Sequence, residues 1–108
     1  MDFQDISNKA LDIRNKYIQL EKKKYGCEWT REQIAQGFAN DVSDLMKLLI
    51  QKSTAPNTLD INKKIAHELS DCLWSIIILA NKHNINLEQS FLITMTELEE
   101  KIESELKE

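Results

Sequence analysis

Apolar residues recur at steps of three and four along most of this chain, a spacing that suits packed helices and little else. Phe3, Ile6, Ala10, Ile13, Tyr17 and Leu20 fall on one stripe of a helix with 3.6 residues per turn. The same spacing carries Ile34, Phe38, Val42, Leu45 and Leu49, then Ile61, Ile65, Leu69, Cys72 and Ile76, and finally Leu87, Phe91, Met95, Leu98 and Ile102. With only two glycines and one proline, and no alternating run of the kind that forms strands, the sequence predicts an all-α, four-helix bundle-like fold.

The punctuation between the stripes sets the helix ends. Lys22 to Lys24 and Gly26 close the first helix. Thr30 followed by Gln33 fits a capping box, and Trp29 before it is placed to pack on Ile34 as a hydrophobic staple. The second helix is expected to run to Gln51, with Gly37 marking close approach of another backbone. Ser53 to Thr58, around Pro56, reads as a loop and a candidate lid, and the third helix as beginning near Asp60. Asn84, able to adopt the left-handed conformation, closes the third helix; Asn86 and Gln89 open the fourth, whose charged end from Glu97 to Glu108 is expected to fray.

After Asp71 the third helix is apolar almost all round, through Leu73, Trp74, Ile77, Ile78 and Leu79. Trp74, Ile77 and Ile78 cannot all share the stripe of Cys72 and Ile76, so some are expected against a second subunit. A homo-oligomer follows, either a dimer or a dimer of dimers.

At 108 residues the sequence reads as a single domain spanning 1–108. Hydrophobic residues at 42% against 30% charged, with a net charge of -4, place it among folded chains. A sequence pI near 5.2 argues against a nucleic-acid polymer as partner, because phosphate-backbone binding relies on basic surface. Cys27 and Cys72 are too isolated for a disulfide framework or a thiolate metal site, which fits a reducing compartment. No basic segment followed by a hydrophobic stretch opens the sequence, and the run from Cys72 to Ala80 is far short of the roughly 20 residues a membrane span needs. A cytoplasmic protein without membrane contact is expected.

Asp41 and Asp44 are three positions apart, as are Glu68 and Asp71. On helices this puts each pair on one face, one turn apart, where like charges repel. A divalent cation removes the repulsion, and magnesium takes oxygen ligands from a few carboxylates, waters and phosphates. The plainer alternative is a solvated acidic face, and Glu97, Glu100 and Glu103 are read that way. His67 and His83 lack zinc-site spacing and are assigned ordinary surface or core roles.

The stretch Trp29-Thr30-Arg31-Glu32, then Gly37 to Leu48 with Asp41 and Asp44, then His67-Glu68-Leu69-Ser70-Asp71-Cys72-Leu73-Trp74, resembles the MazG-type nucleotide pyrophosphohydrolases, a branch of the all-α NTP pyrophosphatases. The resemblance runs from about Trp29 to Phe91 and includes the gap between the acidic pairs and the segment from Ala80 to Glu88. It departs from the family in its first pair, Asp-x-x-Asp where Glu-x-x-Glu is usual, and in Asn84 where a glycine is common.

The resemblance implies magnesium held by Asp41, Asp44, Glu68 and Asp71, and hydrolysis of a nucleoside triphosphate to the monophosphate and pyrophosphate in nucleotide house-cleaning. Around that site, Lys47 is placed either to meet a phosphate or to pair with Asp44. Lys52 and Lys64 flank the loop, either to close over phosphates or as solvated charge. Asn81 resembles an asparagine often found in the family or else has a helix-surface or subunit-contact role, and Trp29 is placed either to stack on a base or to pack as a staple. The competing readings are a non-catalytic helical dimer that binds a partner protein, and a metal-dependent nucleotide sensor with weak turnover.

Overall fold

The computed structural model describes residues 1–108 and contains four α-helices and no sheet: α1 (Phe3–Tyr25), α2 (Arg31–Thr54), α3 (Ile61–Lys82) and α4 (Leu87–Leu106). Three of them begin where a side chain takes up an otherwise unpaired N–H. Asp2 and Asp5 form a capping box at α1, Thr30 and Gln33 another at α2, and the Asn86 side chain accepts the Gln89 N–H at α4. Helix α3 differs, since Asp60 stands at its start in the left-handed region, φ 60°, with no side-chain cap.

The ends follow the same chemistry. Gly26, at φ 82°, closes α1 after three lysines whose charge suits the negative end of the helix dipole. Helix α2 continues past Gln51 to Thr54, whose hydroxyl donates to the carbonyls of Ile50 and Gln51, and the connection lies two residues later than the expected loop, from Ala55 to Asp60. Asn84 adopts φ 57° and the Ile85 N–H reaches back to the Ala80 carbonyl at 2.9 Å, the left-handed closure expected of it. Helix α4 stays regular to Leu106, where a frayed end was expected from Glu97.

Helices α2 and α3, joined by the short loop, pack against each other along their length as an antiparallel hairpin, and α1 lies on α3. Ile34, Ile61, Cys72, Ile77 and Ile78 form the buried apolar centre. Trp74 turns towards α1: its indole Nε1 donates to the Ala10 carbonyl at 2.9 Å and its ring lies 5.5 Å from that of Tyr17.

This corrects the assignment of α3 surfaces. Trp74, Ile77 and Ile78 belong to contacts within the chain because α1 covers that side of α3, whereas Leu69 and Ile76, expected inside, are left exposed. The stripe of α4 is likewise uncovered, and no residue of that helix is buried. At Gly37 the close neighbour is the Trp29 ring and not another backbone. No helix is long and apolar enough to cross a membrane.

Candidate metal centre

The antiparallel hairpin brings the two acidic pairs together. One carboxylate oxygen from each of Asp41, Asp44 and Glu68 lies within 4.8 Å of the others, and His67, Glu68 and Asp71 form a second group meeting the same limit. Glu68 is common to both and links the α2 pair to the α3 pair. The aspartates of α2, one methylene shorter than the glutamates usual in the resembling family, still reach Glu68.

The electrostatics are those of carboxylates without a counter-ion. Burial pushes the Glu68 carboxyl above its ordinary pKa, and the charges of Asp41, Asp71 and Asp44 push it the same way against a smaller opposing effect of His67. Asp41 is raised by burial first and then by Asp71 and Asp44. The Cys72 thiol beneath them is also raised, by burial and then by Asp41, Glu68 and Asp71. One oxygen of Glu68, Oε2, is buried without any hydrogen-bond partner. An acceptor with lone pairs unused and neighbours of its own sign fits a hard cation with oxygen ligands.

Two cavities border the acids. The first, about 520 Å³ between α1, α2 and α3, is lined by Tyr17, Trp29, Ile34, Trp74 and Ile78, with Asp41 and Asp71 also in its wall. The second, about 640 Å³, is lined mainly by charged residues, Asp44 and Glu68 together with Lys47, Lys63 and Lys64, and by His67. One side of the carboxylate cluster is thus aromatic and the other rich in ammonium groups.

The remaining residues singled out in the sequence separate accordingly. Trp29 lines the aromatic cavity, while Lys47 and Lys64 line the polar one. Lys52 lines neither; its Nζ donates to the Asn62 side chain at 2.6 Å, tying α2 to α3. Asn81 is exposed and also lines neither.

Some residues at the site were not singled out by sequence. His67 Nε2 sits 3.2 Å from Asp71 Oδ2, a pairing available to residues four apart on a helix. Lys63 accompanies Lys64. Arg14 and Glu21, both buried, make a two-pronged ion pair at 2.7 and 2.9 Å in the wall of the aromatic cavity, and Glu21 accepts the Trp29 N–H at 2.8 Å. Burial alone would raise the Glu21 carboxyl; the hydrogen bonds from Arg14 and Trp29, with the Arg14 charge, outweigh it and hold the group below its ordinary value. The spacing of two helical turns between Arg14 and Glu21 was the available signal, but charged residues at that interval are common on exposed helix faces.

Comparison of the chain with protein-family models, with curated proteins and with solved structures returned no match.

Proposed function

We propose that this chain is a magnesium-dependent nucleoside triphosphate pyrophosphohydrolase of the MazG type, acting as a homo-oligomer on nucleotides of the cellular pool. The observation that carries the reading is the convergence of Asp41, Asp44 and Glu68, with Asp71 and His67 adjoining through Glu68. The buried, unpartnered Glu68 oxygen supports a cation there, and the flanking cavities support a ligand that is aromatic at one end and multiply anionic at the other.

In this reading Asp41, Asp44, Glu68 and Asp71 hold the metal. Bound magnesium supplies the positive charge that lets a triphosphate enter an acidic site and lowers the pKa of an attacking water. The chain's own groups do the rest. Lys47, Lys63 and Lys64 neutralise phosphate oxygens on the polar side, and Tyr17, Trp29 and Trp74 receive the base by stacking. Water attacks the α-phosphorus, the bond from that phosphorus to the bridging oxygen breaks, and a cluster carboxylate takes the water's proton, leaving the monophosphate and pyrophosphate.

The test is pyrophosphate release from a panel of canonical and damaged ribo- and deoxyribonucleoside triphosphates, with and without magnesium. Magnesium-dependent release from at least one is the expected result. Nucleotide binding that needs magnesium but gives no turnover would recast the chain as a sensor, and no binding or release from any substrate would remove the reading.

A further inference from the structure

His67 alone lines both of the cavities that flank the acids. Asp41 and Asp71 stand in the wall of the aromatic cavity, and Asp44 and Glu68 in that of the lysine-lined one. Each carboxylate thus belongs to one side, whereas the imidazole stands at the seam between them. Its side chain is 73% exposed, so packing does not hold it. Asp71 does, one helical turn on, with its Oδ2 at 3.2 Å from the His67 Nε2. Beside an ionised carboxylate that nitrogen carries the ring proton, which leaves Nδ1 of the neutral imidazole as a hydrogen-bond acceptor. The other oxygen of Asp71 remains for the cation.

The seam is also where a nucleoside triphosphate would react. With its base among Tyr17, Trp29 and Trp74 and its outer phosphates among Lys47, Lys63 and Lys64, the substrate spans both cavities. Its α-phosphorus, which joins the nucleoside to those phosphates, then lies where one cavity passes into the other. A water that is to attack there must have its hydrogens held so that an oxygen lone pair points at the phosphorus.

We infer that His67 positions the attacking water of the pyrophosphohydrolase reaction, its Nδ1 accepting a hydrogen bond from that water beside the bond that breaks. The water's other hydrogen faces the carboxylates and passes to one of them as a proton. The water oxygen bonds to the α-phosphorus, and the electron pair of the breaking phosphorus–oxygen bond leaves with pyrophosphate. The inference rests on the pyrophosphohydrolase reading, and it makes His67 a contact of the reacting water and not a ligand of the metal.

Three measurements test it. In pyrophosphate release, His67→Ala should lower kcat on the order of tenfold to a hundredfold while KM stays within about twofold. His67→Asn, whose amide oxygen can stand near the place of Nδ1, should recover part of that loss, and His67→Gln, which replaces Nε2, should not. Magnesium should raise the melting temperature of His67→Ala as much as that of the wild type. Proton–nitrogen NMR of the imidazoles needs no turnover: adding a non-hydrolysable nucleoside triphosphate to the magnesium-loaded protein should shift the His67 ring signals. His83, the other histidine of the chain, lines neither cavity, and its signals should stay in place. An unchanged kcat in His67→Ala overturns the inference, as do His67 signals that ignore the nucleotide. A magnesium increment lost in His67→Ala also overturns it, by making the imidazole a ligand. Wild-type protein that releases no pyrophosphate from any nucleotide overturns the pyrophosphohydrolase reading and this inference with it.

Discussion

Glu68 is the residue at which the surroundings are most demanding. It joins the two carboxylate groups, one of its oxygens has no partner, and its proton affinity is raised by burial and by three neighbouring acids. An acid whose folded pKa is raised contributes stability that is present below its ordinary value of 4.5 and lost as pH rises through the folded value. The metal-free protein should therefore lose this contribution on going to neutral pH. Glu68→Gln should leave the metal-free fold at pH 7 as stable as the wild type or more so, by up to about 1 kcal/mol, once the repulsion is relieved. Thermal melts from pH 4 to 7 check this, and a clear destabilisation by Glu68→Gln at neutral pH would count against a crowded carboxylate cluster.

Glu21 should behave oppositely. Its folded pKa is lowered, so its contribution is present above its ordinary 4.5 and lost as pH falls through the folded value. Glu21→Gln should cost about 3 kcal/mol at pH 7 by leaving the buried Arg14 charge without a partner. The gap from wild type should narrow below pH 4.5 in melts extended to more acidic pH; a gap independent of pH would point to packing alone. The acids of the candidate site were legible because a spacing of three on a helix fixes a shared face. The Arg14–Glu21 pair was not legible in that way, since its significance depends on the α1–α2 connection carrying Trp29 folding back onto it.

At the scale of elements, helix existence and most caps were readable because each depends on residues within one turn. The Thr30–Gln33 box and the left-handed Asn84 are local chemistry. The end of α2 was misplaced by one turn because the helical bonding continues past Gln51, whose carbonyl accepts the Ala55 N–H at 2.7 Å. Gly37 carries a prediction from the corrected packing. A Cβ there would meet only the Trp29 ring at 3.9 Å, an ordinary contact, so Gly37→Ala should raise stability by up to about 1 kcal/mol through helix propensity. A lower melting temperature would show that the helix needs closer contact at that point.

The loop from Ala55 to Asp60 joins the two acid-bearing helices beside the lysine-lined cavity, in whose wall Asp60 stands. Its amide exchange should slow when magnesium and a non-hydrolysable nucleotide are added together. Equal exchange in both states would make it a plain connection.

For the whole molecule, the sequence showed too much apolar surface on α3 for one buried stripe but could not show which side α1 would cover. Trp74, Ile77 and Ile78 face inward for that reason, and Leu69, Leu73 and Ile76 remain outside. Helix α4 shows the same limit, because an amphipathic pattern states that a face needs cover without stating what provides it. The candidate site escaped this ambiguity because both of its helices belong to one hairpin joined by a short loop, which leaves few ways to arrange them.

The central claim is that the acids of this hairpin form one cation site, and a magnesium titration of thermal stability tests it most directly. A ligand that binds only the folded state stabilises it by mass action, by about 2.7 kcal/mol at a hundredfold excess over its dissociation constant. Wild-type protein should therefore melt at rising temperature as magnesium increases. Asp41→Asn, Asp44→Asn, Glu68→Gln and Asp71→Asn should each lose most of that increment while remaining folded without metal. A magnesium response in all four variants equal to that of the wild type would contradict the claim.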